Sequence, residues 1–398
     1  MSQDSHKQTS GQRTLFHIPP GVIDLGIGAP DSTLLDLSRK AIQTAANSCF
    51  DPTSAVSWLQ YGPVAGDIVF RRHLAEFISQ RSNATPVNPE DLFVTSGATS
   101  GLAAVVSRFF CPGAPAIVES PTYFLARDVL KEAGLQLIEV DQDQGGLNMD
   151  GLATALETLP KVTDGFAGLV YCVPTHNNPT GSTLNSTRRK RLVELASIHN
   201  VLVVCDDVYE LLDFDVDTNH RARVVDYDHG DGNVISNCSF SKILGPGVRC
   251  GWMEMRPSLH QKLATSGFGR SGGGMAHAMT GPLTTLLASG GQGVVLDAIR
   301  TQLAKRCRTL VNTLSECVPK WVDVYQPTGG YFVWMNLNGR IHGDDLLHIA
   351  TRDHGVSFQP GSRFGQKTDC LRVSFAHYPP NVLQLGATAL GACLHQVT

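Results

Sequence analysis

Between residues 92 and 236, short runs rich in Val, Ile and Leu alternate with longer stretches of helical periodicity, and that rhythm leaves few folds open. The runs are Leu92-Phe93-Val94-Thr95, Ala116-Ile117-Val118-Glu119, Gln136-Leu137-Ile138-Glu139-Val140, Gly168-Leu169-Val170-Tyr171-Cys172, Val201-Leu202-Val203-Val204-Cys205 and Val234-Ile235-Ser236. Several are apolar at almost every position, so both faces of the strand must be covered, as in a sheet lying between helical layers. Helices are expected over 66–81, 99–110, 123–133, 150–158 and 186–199. A longer one is expected over 292–317, with Val294, Ile299, Leu303, Leu310 and Leu314 on its apolar stripe. Strands and helices in turn predict the α/β class: a three-layer α/β/α large domain built on a mostly parallel sheet. Beyond the long helix, residues 329–335 and 371–375 read as strands of a smaller α+β domain. The expected bounds are 46–290 for the large domain and 1–45 with 291–398 for the small one, the polar residues 1–20 forming a mobile arm.

Composition narrows the function classes. Charged residues make up 17% of the chain, below the usual share of about a quarter, and 39 of the 398 residues are glycine. Little solvated charge and much special backbone suit an enzyme with loop-built sites and some surface hidden in an oligomer. A net charge of -4 lacks the basic footprint of a nucleic-acid binder. The basic cluster Arg188-Arg189-Lys190-Arg191 reads as a solvated first turn of a helix. No apolar run approaches the roughly 18 residues of a membrane span, so no membrane partner is expected. The ten cysteines include no C-x-x-C pair, which argues against zinc and disulfide frameworks and for a reducing, cytoplasmic compartment. No metal is expected, and Cys172 and Cys205 read as small core residues.

Chemistry gathers after the strands. In open α/β sheets the ligand crevice lies at the carboxyl ends of the strands, and six segments here carry reactive or glycine-rich residues. Ser96-Gly97-Ala98-Thr99-Ser100-Gly101 opens a helix and makes either an anion seat of free N–H groups or an ordinary Ser/Thr cap. Pro121-Thr122-Tyr123 offers a flat ring for stacking, or a packed loop aromatic. In His176-Asn177-Asn178-Pro179-Thr180-Gly181 the proline holds Asn178 extended with its amide free, unless the segment is a simple turn. Asp206, Asp207 and Tyr209 follow the most apolar strand, where a carboxylate needs a partner; a helix cap would explain one Asp but not the set. Lys242 lies in Ser239-Phe240-Ser241-Lys242-Ile243-Leu244-Gly245-Pro246-Gly247-Val248-Arg249, a constrained loop in which a lysine can form a Schiff base and Arg249 can pair with a phosphate. Arg372, inside an apolar strand, requires an anion, whether a substrate carboxylate or a structural salt bridge.

These six segments, in this order, resemble the fold-type I enzymes that use pyridoxal 5′-phosphate (PLP), specifically the class I/II aminotransferases. The resemblance spans about residues 22–390, and its most specific piece is S-x-S-K-x-x-x-P-G-x-R-x-G-W at 239–252. It implies that Lys242 holds PLP as a Schiff base and shuttles the substrate proton, that Asp206 pairs with the ring nitrogen, and that Asn178 and Tyr209 hold the ring oxygen. Tyr123 would stack on the ring, and Gly97, Ala98, Thr99, Ser239, Ser241 and Arg249 would surround the phosphate. Arg372 would bind the substrate α-carboxylate, and Gly28, in Gly26-Ile27-Gly28-Ala29-Pro30, would lie in the loop closing over it. Tyr61 looks like the tyrosine that reaches the phosphate of a neighbouring subunit, which implies a homodimer with shared active sites.

The implied reaction moves an amino group between an α-amino acid and a 2-oxo acid. The alternative is a PLP-dependent lyase, cyclase or replacement enzyme on the same scaffold, resembling cysteine-S-conjugate lyases or aminocyclopropane-carboxylate synthases. It is motivated by residues 267–279, GFGRSGGGMAHAM, which depart from the family pattern and suggest an open or mobile wall. There Arg270 reads as a surface arginine rather than a ligand for a distal carboxylate, and His277 as a packed histidine rather than a site residue. The G-x-S-x-G spelled by 269–273 has no preceding strand and is read as chance. A ligand-sensing regulator is not expected, because too few residues precede Gly26 for a DNA-binding domain, and the absence of G-x-G-x-x-G after a strand excludes a nicotinamide-dependent Rossmann enzyme.

Overall fold

A computed structural model describes residues 18–50, 56–81, 86–214, 222–230, 232–365 and 367–397. Residues 1–17 of the expected arm lie outside the described residues. Every expected strand between 92 and 236 forms, as Leu92–Thr95, Pro115–Ser120, Gln136–Asp143, Leu169–Cys172, Leu202–Asp206 and Val234–Ser239. Two more join them, Gly146–Leu147 and Gly251–Met255. In space the eight run 92–95, 251–255, 234–239, 202–206, 169–172, 115–120, 136–143, 146–147. Neighbours from 234–239 to 136–143 pair in parallel, whereas 251–255 pairs antiparallel with both its neighbours.

The double-sided burial read from the sequence has a direct cause. Along the central strands Leu202 and Val204 join one core with Leu102, Val105 and Leu130. Val203 and Cys205 join a second with Leu152, Leu192 and Leu195. Alternate residues therefore feed opposite helical layers. Helices Ala98–Phe109 and Phe124–Glu132 lie on one face, Met149–Glu157 and Ser186–His199 on the other. The helix starts follow local chemistry: Asn148 accepts from the N–H groups of Asp150 and Gly151, and Asn185 from that of Arg188.

Two expectations need correction. Arg189 is not solvated: it is completely buried, donating to the carbonyls of Leu184 and Pro174 and to the Thr175 hydroxyl. It lies on the inward stripe with Leu192 and Ala196, so helical periodicity overrides its charge. Val294 is 72% exposed, while Val295 and Leu296 take the inward positions that lie in phase with Ile299 and Leu303 on helix Gly291–Cys317.

A second, antiparallel sheet runs in the order Asp323–Val324, Phe332–Asn336, Cys370–Ser374, Gln359–Pro360. Ile23–Asp24 pairs in parallel with Val356–Ser357, tying the chain's early residues to this region. The long helix packs against Pro380–Gln396, which in turn meets Gly343–His354. Asp31 caps helix Ser32–Cys49 and pairs with buried Arg306 at 2.9 Å, which docks the N-terminal segment on the long helix.

Candidate active site

The carboxyl ends of the parallel strands open into a cavity of about 620 Å³. It is lined by Gly28, Ala98, Thr99, Tyr123, Asn178, Asp206, Tyr209, Ser239, Ser241, Lys242, Arg249 and Arg372. Of the fourteen residues to which the family resemblance gave site roles, all but two thus converge. Gly97 stands immediately behind the lining, and Tyr61 lies outside the cavity, 80% exposed.

Strand Leu202–Asp206 ends with Asp206 buried at the cavity wall. One carboxylate oxygen, Oδ2, accepts from the Tyr171 hydroxyl at 2.6 Å; the Val208 N–H also lies close enough to favour the charged form, but Oδ1 is buried with no well-formed hydrogen bond among the described residues. Burial raises the pKa of Asp206 to about 6, opposed by the Tyr171 hydroxyl and by the positive charge of Lys242. The Lys242 amine donates to the Gly28 carbonyl at 3.1 Å and lies 5.1 Å from the centre of the Tyr331 ring. Burial and the nearby Arg372 charge lower its pKa to about 8, against the pull of Asp206. Burial also lifts the Tyr123 phenol to about 12, so it stays protonated.

The segment 96–101 does not form the Ser/Thr side-chain cap. Helix Ala98–Phe109 begins at Gly97, which supplies no capping side chain, so its first N–H groups stay free. Gly97 has φ of 103°, a conformation that favours glycine, and a Cβ there would approach the Arg249 guanidinium to 3.2 Å. Arg249 donates to the carbonyls of Ser96 and Pro246, and the Ser239 hydroxyl donates to that of Ser241 at 2.8 Å.

Opposite this helix start, strand Cys370–Ser374 presents Arg372, only 4% exposed. Its guanidinium donates to Asn178 Oδ1 and to the Gly26 carbonyl, each at 2.7 Å, and lies 4.0 Å from the centre of the Phe332 ring. Among the described residues no carboxylate pairs with it, so the structural salt bridge does not form. With its oxygen engaged, Asn178 keeps its amide donor for a ligand.

Several contributors escaped the sequence reading. Tyr171 is one, although a hydroxyl inside the run Leu169-Val170-Tyr171-Cys172 was the available signal, since a buried phenol needs a partner. Asn237 lines the cavity and donates to the Ala98 carbonyl, steadying the helix start from the neighbouring strand. Glu119 accepts from the Val173 N–H and the Asn177 amide, and burial raises it to about 8.

The segment 267–279 is not the open wall that its glycines suggested. Gly267–Gly272 is a short helix, and the Gly274 N–H donates to the Gly62 carbonyl. Gly273, with φ of 67°, sits so close to Gly62 that a Cβ would lie 2.5 Å from its carbonyl oxygen. His277 packs on Trp58, with ring centres 5.2 Å apart, and Arg270 is exposed outside the cavity.

Residues 20–390 match the family described as aminotransferase class I and II. The chain belongs to that family. Aromatic-amino-acid aminotransferase 1 of Thermococcus litoralis is 30% identical over 350 residues, covering 86% of this chain and 81% of that protein. The 2-aminoadipate transaminase of Thermus thermophilus is 28% identical over 379 residues, 94% of this chain and 90% of its own. A multiple-substrate aminotransferase from Thermococcus profundus superposes with a TM-score of 0.85 at 26% identity, covering 95% of this chain and 92% of that one. The protein is a fold-type I, PLP-dependent aminotransferase. The residues present fit the cofactor: an uncapped helix start with Arg249 suits a phosphate, and the unpartnered Asp206 Oδ1 suits a protonated ring nitrogen.

Proposed function

We propose that this aminotransferase divides its work among the cavity residues as follows, moving an amino group from an α-amino acid to a 2-oxo acid. The free N–H groups at Ala98 and Thr99, with Ser239, Ser241 and Arg249, hold the phosphate. Asp206 holds the positive charge of the ring nitrogen, Tyr209 and the Asn178 amide hold the ring oxygen, and Tyr123 covers the ring. PLP supplies an electron sink for the substrate's α-carbon. Lys242 Nζ, with its pKa brought down to about 8, takes the α-proton and returns it. Arg372 binds the α-carboxylate through its guanidinium fork, and Gly28 belongs to the loop over the substrate. The observation that carries this reading is the meeting of Lys242, Asp206 and Arg372 in one cavity, with no acidic partner for Arg372 among the described residues.

The wider expectations remain part of the proposal. A homodimer is supported by Tyr61 and Leu59, large apolar side chains left 80% and 74% exposed in the single chain. The division at 46–290 is supported by the separate eight- and four-stranded sheets, although helix Ser32–Cys49 runs across residue 46. Ten unpaired cysteines, and no described helix long and apolar enough to cross a membrane, support a reducing cytoplasm. The relatives named for aromatic amino acids and 2-aminoadipate support a donor with a long side chain. The test is a panel of amino acids and 2-oxo acids incubated with the PLP-loaded protein and followed by product mass. Transfer should occur, and Lys242→Ala should abolish both turnover and the visible absorption of the loaded protein. Absence of transfer across the panel, or an active Lys242→Ala variant, overturns the assignment.

A further inference from the structure

Three arginines line the cavity, and none has an acidic partner among the described residues: Arg249, Arg372 and Arg363. The proposed function accounts for two of them, Arg249 for a phosphate and Arg372 for an α-carboxylate. Arg363 is surplus. It stands on the single helical turn Gly361–Phe364, where one guanidinium nitrogen donates to Gln359 Oε1 at 2.6 Å and the guanidinium carbon lies 4.9 Å from the centre of the Phe124 ring.

Arg372 and Arg363 are joined by a row of rings. Phe364 lies 4.9 Å from the guanidinium carbon of Arg372 and 5.6 Å from Phe124, the ring that carries Arg363. The two guanidinium charges feel one another: Arg363 contributes to the lowering of the Arg372 pKa, after burial. Two guanidinium groups on one cavity, one buried and one at the rim, give an elongated anion a cation at each end. The acids among the described lining residues are Asp206 and Asp24; Asp206 accepts from the Tyr171 hydroxyl, and Asp24 from the Gly26 N–H rather than from Arg363.

We propose that Arg363 reads the far end of the substrate and selects amino acids with a second carboxylate in the side chain. The proposal rests on Arg372 holding the α-carboxylate. The substrate would then reach from buried Arg372 toward Arg363 at the exposed rim, its methylene groups lying along the Phe364 and Phe124 rings. Arg270, read from the sequence as a surface arginine, lies outside this cavity.

The experiment compares the PLP-loaded protein with Arg363→Gln and Arg363→Lys. One arm measures kcat/KM for glutamate and 2-aminoadipate against leucine and phenylalanine. A second measures binding of glutarate against butyrate by calorimetry, which needs no turnover. Loss of a charge-assisted pair predicts a fall of about 10- to 100-fold for the dicarboxylic amino acids in Arg363→Gln, with leucine and phenylalanine changed less than about twofold. Glutarate binding should weaken with it, butyrate should not, and Arg363→Lys should restore part of both. An equal loss for all substrates, or none for the dicarboxylic ones, overturns the role of Arg363. Failure of all transfer in the parent protein would instead remove the proposed function beneath it.

Discussion

Replacing Tyr171 by Phe tests how the scaffold sets the charge of Asp206. The hydroxyl donates to Asp206 Oδ2 at 2.6 Å, with both residues buried. It is the largest influence holding the carboxyl down against burial, which has already raised it to about 6. A hydrogen bond to a charged group contributes about 1.5–3 kcal/mol, and one pKa unit corresponds to about 1.4 kcal/mol. Removing the hydroxyl should therefore raise Asp206 by roughly one to two units in the cofactor-free protein, bringing its midpoint near or above neutrality. Phe fills nearly the same volume, so the strand pairing and the core should survive. Isotope-edited infrared titration of the aspartate carboxyls, comparing parent and Tyr171→Phe, reads the midpoint directly. In the loaded enzyme the consequence is a weaker hold on the protonated ring nitrogen below the new midpoint, so PLP affinity at pH 7 should fall while affinity at pH 9 falls less. A midpoint that stays within about 0.3 units of the parent's, or moves down, would refute the reasoning.

Two other perturbations probe the surroundings. Gly97→Ala forces a side chain into φ of 103° and toward Arg249 at 3.2 Å, which should cost about 1–2 kcal/mol of stability and weaken PLP binding, read by thermal denaturation and by titration of the visible absorption. Glu119 has its folded pKa raised from 4.5 to about 8 by burial; its contribution to stability is therefore full below about pH 4.5 and is lost as the pH rises through about 8. Glu119→Gln mimics the protonated form, so its melting temperature should fall less than the parent's between pH 6 and 9, with a difference on the order of a few kcal/mol; parallel profiles in scanning calorimetry would show that Glu119 carries no such linkage.

Much of the fold was legible because the sheet is covered on both sides. Runs such as Val201-Leu202-Val203-Val204-Cys205 have no other stable home, and the polar residues that interrupt them mark the strand ends. Strand Gly251–Met255 was harder to see, since Gly251-Trp252-Met253-Glu254-Met255 includes a buried glutamate that only makes sense once Arg223 pairs with it at 2.5 Å across 31 residues. Arg189 failed for the same reason: its partners lie on the 174–175 and 184 segments, which sequence proximity does not reveal. The site residues were readable where their chemistry conflicts with an apolar setting, as for Asp206, Lys242 and Arg372. Arg363 escaped because it sits in a polar turn, where an arginine raises no conflict. Its significance comes from the cavity alone.

The same burial acts on the two central ionisable groups in opposite directions, and this explains why the cavity is built as it is. A carboxylate pushed up to about 6 and an amine pushed down to about 8 approach each other across neutral pH. Near pH 7 each retains its charge while its protonation change has become inexpensive, which suits the proton transfer proposed for Lys242. Neither shift would arise in a solvated loop, so the covered parallel sheet is part of the chemistry as well as its support. The arginines complete the logic: Arg372, held in place by Asn178 and Gly26, adds positive charge that lowers Lys242 further. In the cofactor-free protein a carboxylate bound at Arg372 would offset that effect and let the free amine's proton affinity rise. An anion at Arg372 is thereby coupled electrostatically to the protonation of Lys242.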